Sequence, residues 1–198
     1  MKKPRGYFEK IIAIDCETSG MNFTDPDLSK NYQSVSWGII SSSVEHFKPI
    51  EKLYVEIKWN KECRWEWKAE KIHALSREYL EENGMDEADA AATIGEFLYN
   101  FYDGIDCGIV CLGHNVAAFD VIFLKKLLYK YGLNFKFAHR ALDSFSLSMP
   151  TVKTYNSDDL FDAMGMDITN AHNSLADAEM ALETFRRVQM VWKRCTGF

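Results

Sequence analysis

Ile11, Ile12, Ala13 and Ile14 form an unbroken apolar run, mostly β-branched, that closes with Thr18, Ser19 and Gly20. This is the pattern of a central strand buried on both faces. Residues 34 to 43 and 51 to 59 read as two further strands, the second with Leu53, Val55 and Ile57 alternating with Lys52, Tyr54, Glu56 and Lys58. The pattern then changes to a helical period. Ile94, Phe97, Leu98 and Phe101 stripe a helix over 86–102, CGIVCLG at 107–113 reads as a fourth, buried strand, and Phe119, Ile122, Phe123, Leu127 and Tyr131 stripe a second helix ended by Gly132. A short fifth strand fits 138–144, a short helix capped by Ser157 ends at Gly165, and a long helix covers 174–194. An antiparallel meander followed by βα alternation predicts an α/β fold, a mixed five-stranded sheet with helices on both faces. The polar segment 21–33 reads as a mobile loop.

Two acids break the pattern of the first strand. Residues i and i+2 of a strand point the same way, so Asp15 and Glu17 stand side by side while Cys16 faces the opposite side. Two neighbouring anions repel. Either one is protonated, or the strand end is solvated, or a cation lies between them.

Composition limits the setting. The 198 residues are 47% hydrophobic, enough for one well-packed domain over 1–198. No apolar run approaches the roughly 20 residues of a membrane span, and the basic start MKKPRGYFEK does not lead into a signal-peptide core, so a cytoplasmic protein is expected. The five cysteines (16, 63, 107, 111, 195) are odd in number and sit mostly in apolar runs, which predicts buried free thiols rather than disulfides. A net charge of -6 offers no global attraction to nucleic acid or membranes. Local sites for nucleic acid remain compatible with it.

Two later acids join the first pair. Asp120 lies in GHNVAAFDVIFL, where the second striped helix begins, and Asp177 lies in AHNSLADAEMALETF, in the first turn of the last helix. Five helical steps rotate by roughly 140°, so His172 and Asp177 cannot share a helical face. His172 belongs to the preceding loop, from which an imidazole can lean over a site that Asp177 enters from the helix.

DCET, HNVAAFD and AHNSLADAEMAL, taken in order, resemble the three sequence blocks of the DnaQ-like (DEDDh) 3'-5' exonucleases of the ribonuclease H-like superfold. The resemblance spans residues 11 to 190, and EKIHALSREYL at 70–80 is similar to the segment that family places beside the 3' terminal nucleotide. It implies Asp15, Glu17, Asp120 and Asp177 as ligands of two divalent cations, Mg²⁺ or Mn²⁺, and His172 as general base. Thr18, His73, Asn115 and Phe119 are implied to meet the substrate end. The second block carries one more residue between Asn115 and Asp120 than its commonest form. The implied activity is hydrolysis of single-stranded DNA or RNA from the 3' end, releasing nucleoside 5'-monophosphates. Two hard cations with oxygen ligands suit that reaction, because they neutralise phosphoryl charge and relieve the leaving oxygen. The alternatives are a ribonuclease H-like endonuclease and a non-catalytic nucleic-acid-binding module.

Each residue also has a plainer reading. Ser174-Leu-Ala-Asp177 fits a helix N-cap, Asp143 a turn, and Asp158, Asp159 and Asp162 a charge cluster at a helix start. Trp59, Trp65 and Trp67 suit base stacking or packing under a loop. Lys125, Lys126, Lys130, Lys136 and Arg140 suit a phosphate-binding patch or a solvated face.

Overall fold

The computed structural model describes residues 8–22, 24–104 and 108–197. Its five strands are β1 (Lys10–Thr18), β2 (Ser34–Ser43), β3 (Pro49–Glu56), β4 (Cys111–Gly113) and β5 (Leu142–Asp143), in the order β3-β2-β1-β4-β5. β1 pairs antiparallel with β2 and β2 with β3, whereas β4 runs parallel to β1 and β5 parallel to β4. This is the mixed sheet expected from the hydrophobic pattern, a ribonuclease H-like arrangement.

The two faces of β1 divide the core. Ile12, Ile14 and Cys16 pack with the long helices α3 (Glu87–Tyr102) and α4 (Asp120–Lys130), through residues such as Ile94, Leu98, Phe123 and Leu127. Ile11 and Ala13 pack instead with Leu160 and Phe161 of α6 (Ser157–Ala163) and with Ala178, Ala181 and Leu182 of α7 (Ser174–Thr196). Helices therefore cover both faces. Full burial of Ile11 to Ile14, each at most 1% exposed, explains why this strand shows no alternation in sequence.

Three short helices were not legible as such: α1 (Trp67–His73), α2 (Arg77–Asn83) and α5 (Phe145–Thr151). Each spans 7 residues, too few to display a helical period. β3 ends at Glu56: the Ile57 N–H still donates to the Val35 carbonyl of β2 at 2.8 Å, but Ile57 forms a parallel bridge with Met85 outside the strand. β4 is shorter than expected, with Ile109 reaching Phe137 through an isolated bridge, and β5 keeps only two residues. Cys107 lies outside the described residues; Cys16 and Cys111 are buried thiols, but Cys63 is half-buried and Cys195 exposed. The cap of α6 is Asn156, not Ser157, since the Asn156 side chain accepts from the Asp158 N–H. Likewise Asn173, not Ser174, caps α7 by accepting from Leu175 and Ala176.

Candidate active site

The upper end of β1 carries the site. Asp15 and Glu17 continue the face of Ile11 and Ala13 and so point toward α7, where the first turn brings in Asp177. One carboxylate oxygen from each of these three residues lies within 4.8 Å of the others. Asp120, at the first position of α4, is buried and accepts from the Cys16 N–H at 2.9 Å. That bond fastens α4 to the β1 main chain between the two strand acids.

The close approach of α7 has a cause in β2. Gly38 is the cross-strand partner of Asp15 and Ser36 that of Glu17. Both are small. A Cβ at Gly38 would stand 2.2 Å from the Ser174 carbonyl oxygen, and Ser36 Oγ meets Ser174 Oγ at 3.0 Å.

Burial raises the pKa values of all four carboxyls. Burial holds Asp15 well above the carboxylate range, helped by Asp120, Asp177 and Glu17. Burial and the same neighbours Asp177 and Asp120 push Glu17 up to about 8. Asp120 rises to about 7 through burial, against the bonds from Cys16, and Asp177 to about 6 through burial, against the His172 N–H. Oδ1 of Asp177 is buried with no hydrogen-bond partner. A cluster of oxygen donors that repel one another, one of them orphaned, fits a hard divalent cation.

His172 comes from the loop, as its spacing requires. It has φ +68, its N–H donates to Asp177 Oδ2 at 3.0 Å, and its imidazole is 47% exposed. Beside the acids lies a pocket of about 410 Å³ that includes Thr18, His73, Phe119 and Lys68 together with Asp15, Glu17, His172 and Asp177. His73 ends α1. Its Nδ1 accepts from the Leu75 N–H at 3.0 Å, which places the ring proton on Nε2. Burial pushes its pKa down, and the Thr18 backbone acts the other way.

Asn115 does not join that pocket. It lines a neighbouring one of about 290 Å³ with His114 and Asp120, and Asp15, Met21 and Phe119 line both. Asn115 has φ +56 and its N–H donates to Asp143 Oδ1 at 2.8 Å. Asp143 also accepts from Phe145 N–H at 3.0 Å, so it shapes the turn and supports the site at once. His114 was missed in the sequence: its ring bridges Ser144 Oγ and the Tyr155 carbonyl, each at 2.9 Å. Its position beside Asn115 in the second block was the available signal.

The basic patch is largely spent on the protein itself. Lys126 donates to the carbonyls of Ser29 and Tyr32, which ties down the 21–33 segment, and Lys130 pairs with Glu87. Lys125 lies 5.4 Å from the Phe137 ring centroid. Trp59 and Trp65 form an edge contact at 5.8 Å, with Trp65 also against His73, so two of the three tryptophans pack. Trp67 is 61% exposed.

The fold and site together define a ribonuclease H-like domain that gathers carboxylates at the end of its central strand. The family RNase_T, described as Exonuclease, matches residues 68–185, and the chain belongs to that family. Asp15 and Glu17 lie outside the matched segment and enter the cluster through the fold. The chain is 33% identical over 109 residues to the 3'-5' exonuclease DinG of Staphylococcus saprophyticus, covering 54% of this chain and 11% of that protein. It is 29% identical over 128 residues to DinG of Staphylococcus aureus, covering 60% and 14%. Thus it spans only a small part of the length of these curated relatives. Among solved structures, the zinc-bound E. coli exonuclease I complex with single-stranded DNA has a TM-score of 0.74 at 18% identity, over 94% of this chain and 41% of that one. The complex of the same enzyme with a dA16 oligonucleotide gives 0.73 at 17%, over 94% and 42%. Among the described residues, no helix is long and apolar enough to cross a membrane.

Proposed function

We propose that this chain is a 3'-5' exonuclease that hydrolyses single-stranded DNA or RNA from the 3' end and releases nucleoside 5'-monophosphates. The observation that carries this reading is the convergence of Asp15, Glu17 and Asp177 within 4.8 Å, with Asp120 fastened to the strand between them. The names of the DinG relatives and the single-stranded DNA in the exonuclease I complexes support it.

Asp15, Glu17, Asp120 and Asp177 would hold two divalent cations, Mg²⁺ or Mn²⁺. Such ions supply charge neutralisation at the phosphoryl group and stabilise the leaving 3' oxygen. The protein's own groups do the rest. His172, held beside Asp177 by its backbone N–H, takes the proton of the attacking water as general base. Thr18, His73 and Phe119 receive the terminal nucleoside in the 410 Å³ pocket, with the Phe119 ring offering a face to a base. Asn115 serves the next nucleotide from the adjoining pocket. The small sheet residues Gly38 and Ser36 keep α7 close enough for Asp177 to join the strand acids.

Digestion of a 5'-labelled oligonucleotide with Mn²⁺, and again with EDTA, tests the reading. Stepwise shortening from the 3' end that EDTA abolishes is the expected result. Internal cuts point to the endonuclease, and binding without cleavage points to the non-catalytic module. Matched DNA and RNA, single- and double-stranded, define the substrate.

A further inference from the structure

Asp158, Asp159 and Asp162 read in sequence as one charge cluster at a helix start, yet the fold separates them. Asp159 accepts from Thr154 Oγ1 at 2.7 Å, Asp162 is exposed, and Asp158 turns inward. Its Oδ2 lies 3.6 Å from His172 Nε2, and its side chain is only 23% exposed. The segment that carries it is fixed at several points. The Asp158 N–H donates to Asn156 Oδ1 and the Asn156 N–H to Thr154 Oγ1, both at 3.0 Å, while the Tyr155 carbonyl contacts the His114 ring. The neighbouring Ser157 lines the same pocket as His172 and Asp177.

His172 needs such support. It sits on a left-handed backbone with a half-exposed ring, and its backbone, not its imidazole, is what Asp177 holds. A ring left free to rotate spends little time with a lone pair aimed at the reacting water. A carboxylate at one ring nitrogen selects both the tautomer and the orientation of the other. The contact Asp158 makes with the site is to the His172 ring, at 3.6 Å from Nε2, which places it to act on the ring.

We infer that Asp158 is a positioning residue for His172: it draws the Nε2–H edge of the ring toward α6 and turns Nδ1 to the site. The inference rests on the proposed role of His172 as base.

A double-mutant cycle tests it. Single-turnover cleavage of an end-labelled oligonucleotide at saturating Mn²⁺ is measured for wild type, Asp158→Asn, His172→Ala and the double variant. Asp158→Asn is expected to lower the maximal single-turnover rate about 10- to 100-fold with the half-saturating concentration unchanged, and to change the rate of His172→Ala by no more than about twofold. Asp158→Glu should recover part of the loss. Asp162→Asn, which removes a charge from the exposed side of the same helix, should leave the rate unchanged, and calorimetric titration with Mn²⁺ alone should give wild-type binding for Asp158→Asn. An equal loss in both backgrounds, or lost Mn²⁺ binding, overturns the inference. An unchanged rate for Asp158→Asn on an enzyme that depends on His172 overturns it alone, whereas a fully active His172→Ala removes the base assignment and the inference together.

Discussion

Gly38 and Ser174 touch main chain to main chain, so closely that a Cβ on the glycine would stand 2.2 Å from the serine carbonyl oxygen. Asp15 is the cross-strand neighbour of that glycine and Asp177 follows that serine by three residues. The contact therefore sets how near the helix acid comes to the strand acids. Gly38→Ala should cost about 1–3 kcal/mol of stability, as overpacking does. It should also lower cleavage by about 10²-fold, the penalty of a roughly 1 Å misplacement. Thermal melts and cleavage rates per folded molecule check both; an alanine variant with wild-type activity would refute the spacing argument.

Removing one acid from the cluster should separate function from folding. Asp15→Asn is expected to abolish turnover while the cation-free protein melts at the same or a higher temperature, since burial and three anionic neighbours all disfavour the charged Asp15. A gain of 1 kcal/mol corresponds to about 2–4 °C at this chain length. Melting in EDTA decides the matter: a large loss of stability would assign Asp15 a structural role.

Burial of these four acids gives the cation-free protein an unusual pH profile. Asp15, Glu17, Asp120 and Asp177 all have raised folded-state pKa values, the last three to about 8, 7 and 6, against about 4 in an unfolded chain. In that window the native state binds more protons than the unfolded state. Stability from these groups is complete below about pH 4 and is lost as pH rises toward about 8. Urea midpoints in EDTA should fall over this range, and saturating Mn²⁺ should flatten the fall. A cation-free protein that grows more stable from pH 5 to 8 would contradict the burial of these acids.

His172 and Asp177 are joined by a 3.0 Å bond but should fail differently when replaced. His172→Ala should slow cleavage by about 10²- to 10⁴-fold with Mn²⁺ binding intact. Asp177→Ala should lose Mn²⁺ binding itself. Calorimetry showing equal loss of the cation in both would make His172 a ligand rather than a base.

Lys126 is expected to act on the loop, not on nucleic acid, because its ammonium is shared between the Ser29 and Tyr32 carbonyls. Lys126→Met should destabilise the protein by about 1–2 kcal/mol, discounted for partial exposure. The salt dependence of oligonucleotide binding should change by less than the roughly one unit per lost phosphate contact. Binding titrations at several salt concentrations test this.

What the sequence displayed and what it hid follow from range. Pairs close in sequence were legible: the side-by-side placement of Asp15 and Glu17 comes from the pleat, and the loop origin of His172 from helical geometry. The meander and the two-faced sheet followed from hydrophobic period alone. Hidden were contacts made by distant segments. Ser36 meets Ser174 across 138 positions, Lys126 meets Ser29 across 97, and Asp158 reaches His172 only because α6 folds back beside the α7 entry. Caps were misplaced by one residue at both α6 and α7 because Asn and Ser stand adjacent at each start and either side chain can accept the first free N–H.

β1 separates chemistry from packing by parity. Its odd positions beyond Ala13 hold the acids, and its even positions, Ile12, Ile14 and Cys16, hold the core against α3 and α4. Inserting one residue before Asp15 would exchange the two sets, carrying a carboxylate into that core and an apolar side chain toward Asp177, whereas inserting two would restore the phase. The strand thus behaves like a message read in steps of two, and the length of a nine-residue segment is constrained as tightly as the identity of the acids it presents.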